Sequence, residues 1–509
     1  MTDSATFTVD GADVPGLRNA VLHIAGMGYC EARVRERLGL SDLTDLLWRA
    51  LPIYRVEQLA IRDALASAID LFLLQGAIPL DELDRLFDKA DQDLLVRAGL
   101  LLIDMQGLAR ARASLFPVGD RLVFSDHAWP SLPHPGCVKV PSDQVMSVGT
   151  DSRWLARATV RQPVGAALDL CTGSGVHALL AASHSRRVLA VDINPRAARC
   201  TRFNIQASGA SNIEAVVGDL YEPVGEGCFD LITANPPFVP SPRDSLQFRD
   251  GGRSGEDVQR RIIAGLPHHL APGGTAQIVT EFGERGEEPL SDRLREWLGG
   301  AAMDIYILRL RENSATSYAI GHADSDDTYE AFLNSVRDWA DNLRTQGYTR
   351  VVSVLLAFQW SDPALGQPWT RSEKSQPPHR NAGAEVEAAF LAERMVRQLN
   401  FHELLERGRV CRAGPIGLME SRMLGGGLRP SAQAELLGKA LPIMQWLDPV
   451  EREILVLIEK AVAVPELLML ARGFNLDKQT VFTALGSLIR RGLVLLTSAD
   501  NLPSGFATS

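Results

Sequence analysis

The tetrapeptide Asn235-Pro236-Pro237-Phe238 contains the residue types that best suit chemistry on a planar nitrogen. Such a nitrogen, in an amide or an aromatic amine, shares its lone pair with a neighbouring π system and is a poor nucleophile. The Asn235 side-chain oxygen and the Pro236 carbonyl would accept its two hydrogens, which orients the nitrogen and stabilises charge as a bond forms. The prolines fix the turn, and Phe238 would stack on a flat group. Taken alone, the tetrapeptide also suits an ordinary proline turn.

A second feature is a glycine-containing loop between an apolar run and a helical pattern. Glycine lets a backbone approach a ligand closely, and a helix N-terminus offers free N–H groups to a carboxylate or a phosphate. The spacing Gly173-x-Gly175-x-x-Ala178 also fits the relaxed dinucleotide fingerprint, which would imply NAD, so two cofactor classes stay open at this point. The loop reads Asp169, Leu170, Cys171, Thr172, Gly173, Ser174, Gly175.

Two further carboxylates follow apolar runs. Asp192 ends the run VLAVD, and Asp219 lies between Gly218 and Leu220. A carboxylate at the position of Asp192 accepts both ribose hydroxyls of a nucleotide cofactor, so it does not separate the two cofactor classes. Asp219 by itself is equally well an ordinary loop aspartate.

These residues are spaced along a pattern that alternates strand and helix from about residue 166 to 320. We predict strands at 166–170, 187–191, 213–217, 229–233 and 276–280, with 305–309 and 317–320 as additions, and helices at 175–183, 195–208 and 254–266. Alternation of this kind is typical of an α/β fold with a doubly wound, mostly parallel sheet. Since ligands bind at the carboxyl ends of such strands, the glycine loop, Asp192, Asp219 and Asn235 are expected at one edge.

The order of these motifs resembles class I S-adenosylmethionine-dependent methyltransferases. DLCTGSG, AVD, GD, NPPF and then LAPGG occur in the sequence of that family, although Cys171 stands where its members often carry glycine. The resemblance implies S-adenosyl-L-methionine as cofactor and catalysis by the NPPF tetrapeptide. In the family pattern the residue at Asp219 contacts the adenine amino group and the Leu220 amide helps read the ring. The implied cofactor-binding set is Asp169, Thr172, Gly173, Gly175, Asp192, Asp219, Leu220 and Asn235.

Within that class, residues 145–282 are most similar to the HemK-like glutamine N5-methyltransferases. The stretch from Phe248 to Asp257, followed by Arg260-Arg261-Ile262-Ile263, is similar to the DGG…RRI segment of that family. The implied acceptor is a glutamine side chain of a protein. Phe238 replaces the family's tyrosine, as in several ribosomal-RNA guanine N2-methyltransferases, and the overall layout is more like actinobacterial HemK-related proteins. RNA (guanine N2 or adenine N6) and small-molecule acceptors therefore stay open, as does a regulator with a non-catalytic cofactor domain.

Composition limits the remaining function classes. The 509 residues are 46% hydrophobic and 22% charged, with a formal net charge of −10 that disfavours sequence-independent binding to nucleic acid. We expect no membrane span, no signal peptide and no metal site, and we interpret the six cysteines as reduced thiols of a cytoplasmic protein. The expected partners are the protein or RNA acceptor and a second copy of the chain.

The flanking segments predict a four-part organisation. Residues 1–145 form a helical, winged-helix-like recognition domain with helices at 58–75, 80–87 and 91–98, and residues 111–150 are irregular. Residues 146–325 form the methyltransferase domain and 326–430 an α/β extension in which 361–383 is a loop. Residues 431–509 form a second winged-helix-like module, in which LIRRGLVLL echoes LLVRAGLLL near residue 94. Four cations of that module would contact phosphates or an acidic protein, unless it serves in packing or dimerisation: Arg472, Lys478, Arg490 and Arg491.

Overall fold

The structure is a computed structural model that describes residues 7–47, 50–127, 141–243, 246–286, 288–323, 328–421 and 431–497. The chain divides into two compact units. The first comprises Met1–Ala156, Arg161–Ala301 and Glu312–Gln359, and the second Arg157–Val160, Ala302–Arg311 and Trp360–Ser509. This division does not follow the four predicted segments, whose boundaries stay a prediction.

The N-terminal part of the first unit consists of short helices and two small antiparallel sheets. Strands β1, β3 and β2 pair in that order, and β4 pairs with β5. The order helix, strand, helix, helix, strand, strand from α4 to β3 agrees with the predicted winged-helix-like module, whose classification stays a prediction. The elements are α1 (Val14–Gly26), α2 (Glu31–Arg37), α3 (Leu51–Glu57), α4 (Ala64–Phe72), β1 (Ala77–Pro79), α5 (Leu80–Leu86), α6 (Lys89–Arg97), β2 (Leu101–Ile103), β3 (Leu108–Ala111), β4 (Ser114–Val118) and β5 (Arg121–Ser125).

Two predictions for this part were wrong. The helix expected at 58–75 is confirmed only over α4, because the Asp63 side chain accepts a hydrogen bond from the Ala66 N–H at 2.8 Å and starts the helix there. The irregular segment expected at 111–150 contains the β4–β5 hairpin. Prolines 130, 133 and 135, which suggested irregularity, lie outside the described residues.

The centre of the first unit is a mostly parallel sheet flanked by helices, as predicted. Within this unit the strands run in the order β12, β10, β9, β6, β7, β8, and only the β10–β12 pair is antiparallel. The elements are α7 (Thr150–Ala158), β6 (Val164–Leu170), α8 (Val176–Ala181), β7 (Ser185–Asp192), α9 (Pro195–Ser208), β8 (Ile213–Val217), β9 (Phe229–Ala234), α10 (Asp257–His269), β10 (Leu270–Arg285), α11 (Leu290–Trp297), β11 (Met303–Ser314), α12 (Ala315–His322), α13 (Tyr329–Thr345) and β12 (Tyr348–Trp360).

The chain order reverses between β6 and β9. From β6 the sheet extends through β7 to β8 on one side, and through β9 to β10 on the other. In open α/β sheets a crevice forms at such a switch point, outside the carboxyl ends of the strands. The segments that follow β6 and β9 are the two motif-bearing segments of the sequence.

The N-terminal part is anchored to the sheet through α9. Arg196 of α9 pairs with Asp126, with 2.6 Å between Nη2 and Oδ1, and both residues are 6% exposed. The Asn204 side chain accepts from the Phe124 N–H at 2.9 Å and donates to the Phe124 carbonyl at 2.7 Å. Separating the N-terminal part from the sheet would leave the buried charge of Arg196 or Asp126 without its partner. These contacts therefore hold the N-terminal part against the sheet.

One predicted strand of this unit is a helix. Residues 317–320 belong to α12, whose start is capped by Ser314: its Oγ accepts from the Ser317 N–H at 3.1 Å. A pattern of only four residues does not by itself distinguish a strand from a helix. The Ser314 cap favours the helix here.

The second unit contains most of β11, whose last three residues belong to the first unit, and the elements that follow β12. Strand β11 pairs in parallel with β13, so the predicted loop at 361–383 contains a strand. The remaining sheets run β18-β14-β19 and β15-β16-β17. The elements are β13 (Thr370–Lys374), α14 (Gly383–Val396), α15 (Phe401–Arg407), β14 (Arg409–Arg412), β15 (Ile416–Ser421), β16 (Ser431–Leu436), β17 (Met444–Leu447), α16 (Pro449–Leu457), β18 (Val462–Ala463), α17 (Val464–Arg472), α18 (Lys478–Arg490) and β19 (Val494–Thr497).

The end of this unit has three helices and a strand. The short sequence similarity between the two terminal modules corresponds to a shared turn after the third helix. Gly99 and Gly492 both follow the third helix with φ near +70°. The next residues, Leu100 and Leu493, donate their N–H groups to the carbonyl oxygens of Leu95 and Leu488, each at 2.9 Å. The two turns are therefore the same type of helix C-cap.

The cations proposed for recognition are largely engaged within the second unit. Lys478 pairs with Glu406, Arg490 with Glu393 at 3.0 Å, and Arg491 with Glu451 at 2.5 Å. Three of the four are therefore held by carboxylates of the same unit, which favours the packing alternative for this module. No helix among the described residues has the length and apolar character needed to cross a bilayer.

Candidate active site

The segment after β6, residues 169–175, is called the β6 loop, and residues 235–240 after β9 are called the β9 loop. The β6 loop is held by the carboxylate of Asp169. Its Oδ2 accepts from the Thr172 hydroxyl and from the Ala178 N–H at 3.2 Å, and its Oδ1 accepts from the Thr233 hydroxyl at 2.8 Å. Asp169 is 1% exposed, and burial raises its pKa to about 7. Asp169 and Thr172 thus shape the loop, and a direct contact of either with a cofactor stays a prediction.

The β6 loop turns through three residues in the left-handed region. Cys171, Gly173 and Gly175 have φ of +55°, +57° and +81°. A Cβ on Gly175 would lie 2.7 Å from the Thr201 side chain, whereas a Cβ on Gly173 would meet no atom within 4 Å. Gly175 is therefore required for packing of α9, while Gly173 leaves open space. The left-handed backbone also explains why glycine suits the position of Cys171.

Asp192 links the end of β7 to the β6 loop. Its Oδ2 accepts from the Gly173 N–H at 2.8 Å and its Oδ1 from the Asn194 N–H at 2.9 Å. The residue is half-buried, and burial raises its pKa. The predicted cofactor residues of β6 and β7 thus meet at one edge.

Asp219 and Leu220 continue the same edge after β8. Asp219 Oδ2 accepts from the Arg261 guanidinium at 2.8 Å, and this hydrogen bond raises the pKa of Arg261. Leu220 is buried and has φ of +53°. Arg261 belongs to the segment that resembles the family's RRI motif. Its pairing with Asp219 was not anticipated from the sequence, because the two residues are 42 positions apart.

Asn235, the first residue of the β9 loop, is oriented by a side chain of helix α7. The Asn235 Nδ2 donates to the Ser152 hydroxyl at 3.0 Å. Ser152 lies within α7 and is 6% exposed. With Nδ2 engaged, Oδ1 is the acceptor atom of this side chain, and its contact with a substrate nitrogen stays a prediction.

The rest of the β9 loop agrees in part with the predicted chemistry. Among the described residues, no hydrogen bond occupies the carbonyl of Pro236, which is a buried residue, and its role as an acceptor stays a prediction. Pro237 is half-buried between its neighbours. Phe238 is only 9% exposed and packs in an apolar cluster with Tyr318 and Trp339. Its ring therefore belongs mainly to the core, and stacking on a substrate stays a prediction for its small exposed part.

The β9 loop is held by backbone contacts with the glycine-rich segment 249–255. The Val239 N–H donates to the Arg249 carbonyl and the Gly251 N–H to the Val239 carbonyl, each at 3.0 Å. A Cβ on Gly251 would lie 2.8 Å from the Pro237 carbonyl oxygen, and one on Gly255 would overlap the Phe238 carbonyl oxygen. The segment that resembles the family's DGG motif thus supports the NPPF turn through close backbone approach.

His177, expected at a surface or in helix packing, is buried at the start of α8. Among the residues that the structure describes, its two ring nitrogens have no hydrogen-bond partner, and burial lowers its pKa to about 4. The ring is therefore neutral at pH 7 and packs as a helix residue.

The residues at this edge fit the S-adenosylmethionine that the motifs imply. Each oxygen of Asp192 accepts one backbone N–H and keeps capacity for a ribose hydroxyl. Asp219 uses Oδ2 for Arg261, and within the described residues its Oδ1 accepts no hydrogen bond, which suits an adenine amino group. The open space at Gly173 admits the methionine end of the cofactor.

Comparison with known proteins places the chain in a family. Residues 143–300 match the family described as methyltransferase small domain. A ribosomal protein uL3 glutamine methyltransferase of Bradyrhizobium diazoefficiens is 38% identical over 143 residues, which are 25% of this chain and 44% of that protein. A release factor glutamine methyltransferase of Geobacter sulfurreducens is 33% identical over 24% of this chain and 48% of that protein. The chain thus spans about half the length of these two relatives.

A third relative is covered more completely. It is a candidate protein N5-glutamine methyltransferase of Methanocaldococcus jannaschii, 33% identical over 135 residues that make up 25% of this chain and 67% of that protein. The family match at residues 143–300 includes the β6 loop, Asp192, Asp219 and the β9 loop. The chain therefore belongs to the HemK-like family of class I, S-adenosylmethionine-dependent methyltransferases.

Proposed function

We propose that this protein transfers a methyl group from S-adenosylmethionine to the side-chain amide nitrogen of a glutamine in another protein. The observation that carries the proposal is the pair of acceptors at the β9 loop. The Asn235 amide is oriented by Ser152, and the neighbouring Pro236 carbonyl is free of hydrogen bonds among the described residues. Two acceptors side by side match the two N–H groups of a primary amide.

The chemistry follows from these acceptors. When bound, S-adenosylmethionine supplies an electrophilic methyl group on a sulfonium. Asn235 Oδ1 and the Pro236 carbonyl hold the two hydrogens of the substrate nitrogen, which aligns its lone pair and stabilises the positive charge that develops there. The nitrogen then releases a proton to water. No buried base is required, because the nitrogen that has gained the methyl group carries a positive charge and is strongly acidic, and the cofactor would leave as neutral S-adenosylhomocysteine.

The cofactor residues take the roles that the family pattern implies. Asp192 would accept the ribose hydroxyls, and Asp219 the adenine amino group beside the Leu220 amide. Gly173 and Gly175 would admit the methionine end beside the backbone of the β6 loop. Asp169 and Thr172 act here by holding that loop.

A protein acceptor is supported by the relatives, whose names assign methylation of ribosomal protein uL3 and of release factors. The formal net charge of −10 is a second support, because RNA binding rests on neutralising phosphates. A cytoplasmic location agrees with acceptors of this kind. Recognition by the terminal modules and homodimerisation stay predictions.

The test is methyl transfer from tritiated S-adenosylmethionine to three purified acceptors: ribosomal protein uL3, a peptide-chain release factor and ribosomal RNA. We expect label in one of the proteins, on a glutamine identified by mass spectrometry, and none in RNA. Label in RNA alone, or cofactor binding without transfer to any acceptor, would contradict the proposed function.

A further inference from the structure

A cavity of about 290 Å³ lies beside the β9 loop, in the first unit. Helix α13 forms one wall, and the residues that follow the β9 loop and the glycine-rich segment form the others. It is lined by Pro242, Arg243, Arg253, Asp338, Asp341, Asn342 and Thr345. None of these residues belongs to the predicted cofactor or catalytic set.

Asn342 lines this cavity and has one side-chain atom with no hydrogen-bond partner among the described residues. The residue is 6% exposed, and its Nδ2 donates to the Pro240 carbonyl at 3.1 Å and to the Arg253 carbonyl at 3.0 Å. Two carbonyl acceptors require the nitrogen on that side, so the orientation of the amide is determined. Its Oδ1 is buried and has no hydrogen-bond partner within the part of the chain that the structure describes. A buried acceptor without a donor costs roughly 1–3 kcal/mol, which a ligand N–H or O–H would recover.

The cavity is coupled to the β9 loop through the same side chain. Pro240, which accepts from Asn342, is the last residue of that loop. Pro242 is seven positions after Asn235, so the two lie at most about 25 Å apart. An extended peptide of similar length would reach from a target amide at Asn235 to the cavity.

The rim of the cavity carries charges of both signs. Arg243 pairs with Asp338 at 2.8 Å, with both side chains more than half exposed, and Arg253 and Asp341 add a second cation and a second carboxylate. Carboxylates beside the cations disfavour a phosphate backbone. A polypeptide, which offers main-chain N–H groups and side chains of either charge, matches this rim and the Asn342 acceptor.

We propose that this cavity is a subsite for the polypeptide acceptor, in which Asn342 Oδ1 accepts a hydrogen bond from the segment flanking the methylated glutamine. The inference rests on the proposed function and assigns the subsite to binding, separate from chemistry. Arg243 and Asp338 contact charged side chains of the same segment.

The test is the kinetics of a Thr345→Trp variant, which fills the cavity from an exposed position of α13. The acceptor is whichever of uL3 or the release factor is methylated by the wild-type protein. We expect KM for that protein to rise about tenfold, with kcat within about twofold and unchanged affinity for S-adenosylmethionine. Asn334→Trp is the matched control, since Asn334 is exposed on the same helix and does not line the cavity.

An Asp338→Lys variant gives a second reading that leaves the cavity open and reverses one rim charge. A rise in KM in both variants, with the control at the wild-type value, supports the subsite. Methylation of a protein with an unchanged KM in both variants would overturn the subsite and leave the proposed function intact. Methylation of RNA alone, or of neither protein, would overturn the proposed function and this inference with it.

Discussion

The β6 loop and the β9 loop meet at the same edge of the sheet but are held in different ways. In the β6 loop, two carboxylates do the holding: Asp169 ties the loop to β9 and α8, and Asp192 ties it to β7. In the β9 loop, backbone pairs with backbone, and glycines at 251 and 255 allow the approach. The first loop therefore depends on side chains and their protonation, and the second on the absence of side chains.

This difference separates cofactor binding from substrate alignment. A carboxylate-held loop responds to pH and to conservative replacement of one side chain. A backbone-held loop is insensitive to pH and fails when a single Cβ intrudes. The predictions below test each loop by the kind of change to which it is expected to respond.

The largest effect is expected for Asn235→Ala. Loss of the Oδ1 acceptor removes one of the two groups that align the substrate nitrogen, so we expect kcat to fall by at least about 100-fold. The affinity for S-adenosylmethionine, measured by isothermal titration, should change little. Turnover equal to that of the wild type would remove Asn235 from the proposed mechanism. Ser152→Ala, which only frees the Asn235 amide, should reduce kcat by less.

The next effect is expected for Gly255→Ala. The new Cβ would overlap the Phe238 carbonyl oxygen, so the β9 loop must shift, and we expect kcat to fall about tenfold or more while cofactor affinity is kept. Gly273→Ala is the control, because Gly273 has a similar φ of +79° but open space around its Cβ position. It carries the same backbone strain without the overlap. Equal losses in both variants would show that strain alone explains the effect.

A smaller effect is expected in the pH dependence of stability, through Asp169. Burial raises the pKa of this carboxyl from an ordinary 3.8 to about 7, so the folded state binds its proton more tightly than the unfolded chain. The stabilisation from this group is complete below pH 4 and is lost as the pH rises to about 7. In urea unfolding, the free-energy difference between the wild type and Asp169→Asn should shift against the wild type from pH 5 to pH 8. A constant difference would contradict the raised pKa.

The smallest effect is expected for Cys171→Gly. Cys171 has φ of +55°, a strained conformation for a residue with a Cβ, and the resulting gain is partly offset by the greater freedom of glycine in the unfolded chain. We expect the free energy of unfolding to rise by at most about 1 kcal/mol. Cys171→Ala keeps the strain and is the control. A clear loss of stability for glycine alone would show that the thiol contributes packing of its own.

Much of the sheet could be predicted because its elements carry local signals. Helix α9 and strand β8 begin and end where the sequence pattern predicts, since Pro195 and Gly209 bound the helix and β8 is a short apolar run. The prediction of a helix at 58–75 was wrong for residues 58–63, because the apolar spacing continues across them. The cap at Asp63, where helix α4 starts, is a single polar contact. The prediction of a strand at 317–320 was wrong for a similar reason, because the Ser314 cap that starts the helix lies before these residues.

The sequence alone determined the order of the motifs, the mostly parallel sheet, the family and the identity of the residues at the site edge. These follow from local spacing and from the rule that successive parallel strands end at one edge. Only the tertiary structure decided that Ser152 orients Asn235, that Arg261 pairs with Asp219 and that Phe238 turns into the core, and that Asn342 keeps an acceptor with no partner among the described residues. Such contacts join residues 42 to 102 positions apart, and no local pattern encodes which distant group comes within hydrogen-bond distance.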